Sequence, residues 1–243
     1  MIRFCLGVLV AVALAGCEAP RMQRAPVSAP VSVQPDTGRL PPRQAAANFV
    51  AVAGAMEPKI EQECRARTRG QRSCDYRIMI DDRPTRSPNA FQTVDKAGNP
   101  VIAFNLALIA EARNPDELAF VMGHEAAHHI LGHLSSKSRD ASAGALIMGV
   151  LAAASGADPD MISQAQNMGA NVGSRAYSKN YELAADRLGA VITWNAGYDP
   201  MRGAQFFTRL ADPGDTFLGS HPANGERLEV VRRTVEQLRS GAI

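Results

Sequence analysis

The sequence predicts a predominantly helical α+β domain with one small β-sheet, preceded by a short export segment. Three features carry that prediction. Helix-start signals recur where apolar residues fall three and four apart, two short apolar segments flank a turn-rich stretch at 95–99, and the first forty residues follow neither pattern. The 243 residues are 46% hydrophobic and 21% charged, which suits a packed core and excludes a disordered chain. A formal charge of +2 and 5% aromatic residues give no electrostatic or stacking argument for a nucleic-acid partner.

At the start, Arg3 precedes an apolar run from Phe4 to Ala15 that is too brief to span a bilayer as a helix. Residues 1–16 therefore read as a signal peptide. The run ends in Leu14-Ala15-Gly16-Cys17, which resembles a bacterial lipobox and makes Cys17 the expected lipidation site. Two or more acyl chains on one residue anchor a protein stably to a membrane. Glu18 stands where an Asp would signal inner-membrane retention, so the outer membrane is favoured. Six Pro fall between positions 18 and 42, so residues 17–42 read as an extended tether and 43–243 as the domain.

Arg43 to Met56 reads as a helix with Phe49, Val52, Ala53 and Met56 on one face, and Pro58 starts or kinks the turn that follows. Cys64 and Cys74 bracket a basic loop and, in an exported chain, form a disulfide stabilising the fold by roughly 3 kcal/mol. Arg77 to Ile80 reads as a strand. Ala90 to Val94 and Val101 to Phe104 read as the arms of a hairpin, and Pro100 suits an edge strand because it cannot donate to a ladder. Asn114-Pro115-Asp116-Glu117 is a strong helix start whose helix turns Leu118, Val121 and Met122 inward and continues past His133. The uncharged segment 141–157 is expected to pack inside a helical domain. Gly197 ends a helix, Asp199-Pro200 begins another, and Pro222 opens the last, with Leu228, Val231, Val235 and Leu238 facing inward.

Four of the five His lie between His124 and His133. Within them, His124-Glu125-Ala126-Ala127-His128 puts two imidazoles one turn apart on one helix face, where both reach one metal ion. Glu125 is rotated aside, where it can take a proton from a zinc-bound water whose pKa is about 7. The continuation nearly fits a third-His pattern, but the positions that would need Gly and His hold Leu131 and Leu134. On a continuous helix His129 points about 100° away from His128, and His133 lies about 140° round. Both are read as bystanders to the metal. The better third ligand is Glu182, with Asp186 one turn on to hydrogen-bond a ligand imidazole's other nitrogen.

These residues carry a family resemblance. His124–His128, the run from Arg175 through Glu182 and Asp186 to Gly189, Gly197-Tyr198-Asp199-Pro200, and Ser220-His221-Pro222 with Arg227 are similar to the motifs of the HtpX-like zinc metallopeptidases. Asn89-Ala90-Phe91 matches the strand before that family's active-site helix. The match covers roughly residues 77 to 239. The resemblance implies a gluzincin domain with an active-site helix and a sheet whose edge strand aligns substrate. It implies one zinc on His124, His128 and Glu182, with Glu125 as base. It also gives His221 and Arg227 a cleft-facing role at the developing oxyanion, although His221 can instead reach the metal and block it. Without the resemblance, His221 reads as a helix-cap residue and Arg227 as a solvated charge. The transmembrane helices of the family's integral members are not found, which implies a compact lipoprotein form.

The function expected is that of a zinc endopeptidase in the bacterial envelope, lipid-anchored and facing the periplasm. It would act on unfolded or extended polypeptide in quality control, alongside envelope assembly partners the sequence does not specify. The rival is a latent chaperone or scaffold whose metal site His221 closes.

Overall fold

A computed structural model describes residues 38–84, 87–176, 178–209 and 224–243. The signal segment 1–16, Cys17 and the tether to residue 37 lie outside the described residues, as does His221.

Helix α1, Pro42–Thr68, buries Phe49, Val52, Met56, Ile60 and Cys64 in one stripe. Pro58 lies inside it, so the expected new start is not seen. Met56 and Ile60, both fully buried on either side of Pro58, hold the helix to the core through that point. The helix ends at Arg69, in the left-handed conformation (φ 51°), and the chain returns through a Cys64–Cys74 disulfide with Cα atoms 5.7 Å apart.

Strands β1 (Arg77–Asp81), β2 (Ala90–Val94) and β3 (Pro100–Asn105) form a mixed sheet in the order β1-β3-β2. β1 runs parallel to β3, and β2 runs antiparallel to it. The strand that Pro100 opens is therefore central rather than at an edge. Pro100 faces Val94 of β2, but the β1 ladder begins at Val101, so the missing N–H falls outside that ladder. Strand β2 is an edge, with no strand on its other side among the described residues.

Asn105 caps the short helix α2, Leu106–Glu111, by accepting the Leu108 N–H. Helix α3, Pro115–Leu131, starts as the sequence predicts, with Asn114 accepting the Glu117 N–H. It is buried on nearly every face. Contrary to expectation it stops at Gly132, whose left-handed conformation (φ 75°) redirects the chain into helix α4, His133–Ala154. The positive φ is what calls for Gly, since the nearest atoms to a Cβ there belong to the end of the flexible Arg72 side chain.

Helices α4 and α5 (Pro159–Ala176) pack together through Gly144, Gly169 and Gly173. The expectation that 141–157 would be interior is corrected. Leu146, Ile147, Val150 and Leu151 are between 59% and 67% exposed, because small residues fill the helix–helix seam and turn the larger ones outward. No described helix is long and apolar enough to cross a membrane.

Helix α6, Ser178–Asn195, crosses α3 at a glycine pair. A Cβ on Gly123 would lie 2.8 Å from the Gly189 carbonyl oxygen, and one on Gly189 would lie 2.8 Å from the His124 nitrogen. The two backbones thus touch, and Glu182 and Asp186 are drawn over His124. Asp199 caps α7, Pro200–Ala204, and a 3-10 turn spans Gln205–Arg209. Helix α8, Asn224–Arg239, buries Val231 and Val235, with Leu228 and Leu238 partly covered.

Candidate active site

The middle of α3 and the first half of α6 supply the chemistry. His124 Nε2 lies 3.1 Å from His128 Nε2 and 3.3 Å from Glu182 Oε2, and His128 Nε2 lies 3.6 Å from Glu182 Oε1. Donors placed tetrahedrally at 2.0–2.1 Å from a zinc ion are separated by roughly 3.3 Å. The three residues therefore fit a divalent ion both by spacing and by donor type. Lys137 Nζ stands 3.6 Å from Glu182 Oε1, on the same side of the site.

The remaining ring nitrogens are also engaged. His124 Nδ1 donates to Asp186 Oδ1 at 2.8 Å, so Nε2 is the nitrogen turned toward the ligand cluster and the one an ion would take once its proton is displaced. Asp186, fully buried, also accepts from Arg227 Nε and Nη2, both at 2.7 Å. The Arg227 guanidinium lies 3.4 Å above the Phe207 ring. Burial by itself would raise Asp186, but Arg227 and His124 hold its carboxyl below the usual range. Burial likewise opposes charge on His124, and the Asp186 and Glu182 carboxylates overcome it, lifting the imidazole to about 9. Burial lowers His128.

Glu125 sits half-buried on the wall of a cavity of about 440 Å³. Burial, reinforced by Glu182, raises its carboxyl to about 7, while the Gln92 backbone N–H on strand β2 and His124 pull it back. The other walls include Asn89, Phe91 and Gln92 from the edge strand and its approach, and Leu108, Val121, Phe207 and Arg227. The Glu125 carboxyl, the His124–His128–Glu182 cluster and a strand edge with no further strand beside it among the described residues thus share one cleft.

Of the other two His, only His133 departs from its sequence reading. His129 donates from Nε2 to the Ser73 carbonyl at 2.8 Å, beside the disulfide, and is neither near the ligands nor on the surface. His133 is buried, and its Nδ1 lies 2.9 Å from Nδ1 of His128. The reading of His133 as a bystander assumed one continuous helix, and Gly132 breaks it. A glycine just before that His was the sequence signal for the break. Burial, followed by the nearby His128, pushes His133 down to about 3, so it is a neutral ring.

Arg227 lines the cavity, as the resemblance implies, and also grips Asp186, which the sequence reading did not foresee.

Two imidazoles and a carboxylate converging from an H-E-x-x-H helix and a later E-x-x-x-D helix, with a carboxyl poised beside them, define a metalloendopeptidase. The wider sequence agrees: the model of Peptidase family M48 matches residues 58–235, and the chain belongs to that family. Among curated relatives it is 30% identical over 152 residues to a Vibrio cholerae protein whose name describes a beta-barrel assembly-enhancing protease, covering 56% of this chain and 31% of the relative. It is 29% identical over 123 residues to the metalloprotease LoiP of Escherichia coli, covering 48% of each chain. It is 27% identical over 167 residues to the mitochondrial metalloendopeptidase OMA1 of Saccharomyces cerevisiae, covering 63% of this chain and 45% of the relative. The chain thus spans less than half the length of each.

Proposed function

We propose that this protein is a zinc-dependent endopeptidase that hydrolyses peptide bonds in misfolded or misassembled cell-envelope proteins. The observation that carries the proposal is the convergence of His124, His128 and Glu182 beside Glu125, in a cavity bordered by strand β2, whose outer edge pairs with no strand among the described residues. His2Glu donor sets of this kind suit catalytic zinc. When bound, zinc supplies a Lewis acid that polarises the peptide carbonyl and makes water acidic enough to lose a proton near pH 7.

The chain's own residues do the rest. Strand β2 offers its free edge to the backbone of an extended polypeptide, which gives recognition with little sequence preference. Glu125 takes the proton of the attacking water and returns it to the departing amine. Its carboxyl, raised to about 7, is suited to both transfers near neutral pH. Phe91, Leu108 and Val121 keep bulk water from the reacting bond. Asp186 orients His124, and Arg227, with His221, steadies the charge on the carbonyl oxygen.

The site in the cell follows from the N-terminal segment. Lipid on Cys17 holds the protein to the outer membrane facing the periplasm, and the tether lets the domain reach its substrates. The name of the Vibrio cholerae relative supports a part in beta-barrel protein assembly. No nucleic-acid partner is expected.

The test replaces Glu125 with Gln. Cleavage of an unfolded casein-like substrate should disappear while about one zinc per chain stays bound. Full activity in Glu125→Gln would overturn the mechanism. Cys17→Ala should release the protein from the membrane fraction, and retention there would overturn the anchor.

A further inference from the structure

We propose that His133 is a positioning residue for His128: it accepts the Nδ1 proton of His128 and so fixes which nitrogen of that ring is offered to the metal. The inference rests on the metallopeptidase reading and deepens it.

The two Nδ1 atoms are 2.9 Å apart, and a hydrogen bond between them needs one proton. The ligand cluster settles which ring carries it. His128 turns Nε2 toward His124 and Glu182, so to hold an ion there it must offer the Nε2 lone pair and keep its proton on Nδ1. His128 therefore donates, and His133 accepts with its own proton on Nε2.

His133 is held so that it cannot swing away. It is the first residue of α4, aimed back at α3 by the left-handed turn at Gly132. Its ring stacks on Tyr181 with centroids 4.7 Å apart and planes 28° apart. The Tyr181 hydroxyl is fixed in turn, donating to Asp140 Oδ2 at 2.6 Å. Tyr181 directly precedes Glu182, so one imidazole touches a ligand on α3 and the neighbour of a ligand on α6.

The site thus orients its two imidazoles by different means. His124 is steadied by a carboxylate, whereas His128 is steadied by a second imidazole. Outer groups of this kind typically change metal affinity tenfold to a hundredfold when removed.

The experiment measures zinc affinity by chelator competition in wild type, His133→Leu and His133→Asn, together with thermal stability. Asn places an acceptor oxygen near the position of the lost Nδ1, and Leu places none. His133→Leu should weaken zinc binding about tenfold to a hundredfold, and His133→Asn should restore it to within about threefold of wild type. Should His133→Leu fail to fold, nitrogen-15 spectra of the zinc-loaded wild type decide the matter. They should show a protonated Nδ1 on His128 and a protonated Nε2 on His133. A proton on Nδ1 of His133 overturns the proposal. So does His133→Leu binding zinc as tightly as wild type, or Leu and Asn losing affinity and melting temperature alike. A wild type that takes up no zinc overturns the metallopeptidase reading first, and this inference with it.

Discussion

Arg227 and Asp186 meet through two hydrogen bonds of 2.7 Å, and Asp186 holds Nδ1 of His124 at 2.8 Å. This buried relay joins α8 to the ligand helix α3 through α6. Removing the guanidinium leaves a buried carboxylate with only an imidazole to face it, and breaking such a pair costs about 3–5 kcal/mol. Arg227→Ala should therefore lower both the melting temperature and the zinc affinity. Arg227→Lys keeps the charge but loses the fork, so it should recover only part of each. Unchanged zinc affinity in Arg227→Ala, read by chelator competition, would show that the relay does not act on His124.

Metal binding should expel a proton. In the metal-free chain Asp186 and Glu182 hold His124 at about 9 despite burial, so at pH 7.5 the ring is protonated on both nitrogens. Zinc competes for Nε2 and displaces that proton, so affinity should increase as pH rises toward 9. Calorimetric titration in buffers of different ionisation enthalpy should report release of about one proton at pH 7.5. Buffer-independent heats would contradict the assignment.

The rate should depend on Glu125 in a defined direction. The base must be ionised, and burial sets it at about 7 without an ion, so activity should rise with pH through its titration. A zinc charge nearby favours the carboxylate, which moves the acid limb of kcat/KM below 7. Glu125→Asp shortens the reach and should lower kcat with little change in KM. A flat kcat/KM between pH 5 and 8 would exclude Glu125 as the titrating base.

The crossing of α3 and α6 yields a prediction that reads no catalytic side chain. A Cβ on Gly189 would meet His124 N at 2.8 Å, His124 Cα at 3.0 Å and Gly123 C at 3.1 Å, all backbone atoms that cannot rotate away. Gly189→Ala should push α6 outward, cost about 1–3 kcal/mol as overpacking does, and weaken zinc binding because Glu182 moves with the helix. Gly225→Ala is the control, since nothing lies within 4 Å of its Cβ position and stability should hold or improve. Equal melting temperatures for the two variants would refute the argument.

What the sequence made legible follows from the range of each signal. Local chemistry was readable: Asn114 capping α3, Asp199 capping α7, and the 90–94 arm of the hairpin all lie where composition put them. The pairs His124/His128 and Glu182/Asp186 were readable because each lies one helical turn apart. Long-range facts were not. Nothing local says that β3 would be central, since that depends on β1, about twenty residues earlier, pairing with it in parallel. Nor does anything local tell Arg227 from a solvated charge, as its partner Asp186 is 41 residues away. His133 failed for a different reason. On an unbroken helix His133 would face away from His128, and one left-handed residue, Gly132, turns it back.

The disulfide should matter to stability without mattering to the metal. Cys64 and Cys74 close a loop of sequence separation 10, for which chain entropy gives roughly 3 kcal/mol. The same loop presents the Ser73 carbonyl to His129 Nε2 at 2.8 Å, tying α1 to the far side of α3 from the ligands. Replacing both Cys by Ser should lower the melting temperature, and a reducing agent should do so in wild type but not in the double variant. Zinc stoichiometry should stay near one in all three, because His124, His128 and Glu182 make their described contacts with one another and with residues such as Asp186, Lys137 and His133 rather than with the loop. Loss of zinc on reduction would instead make the disulfide part of the site.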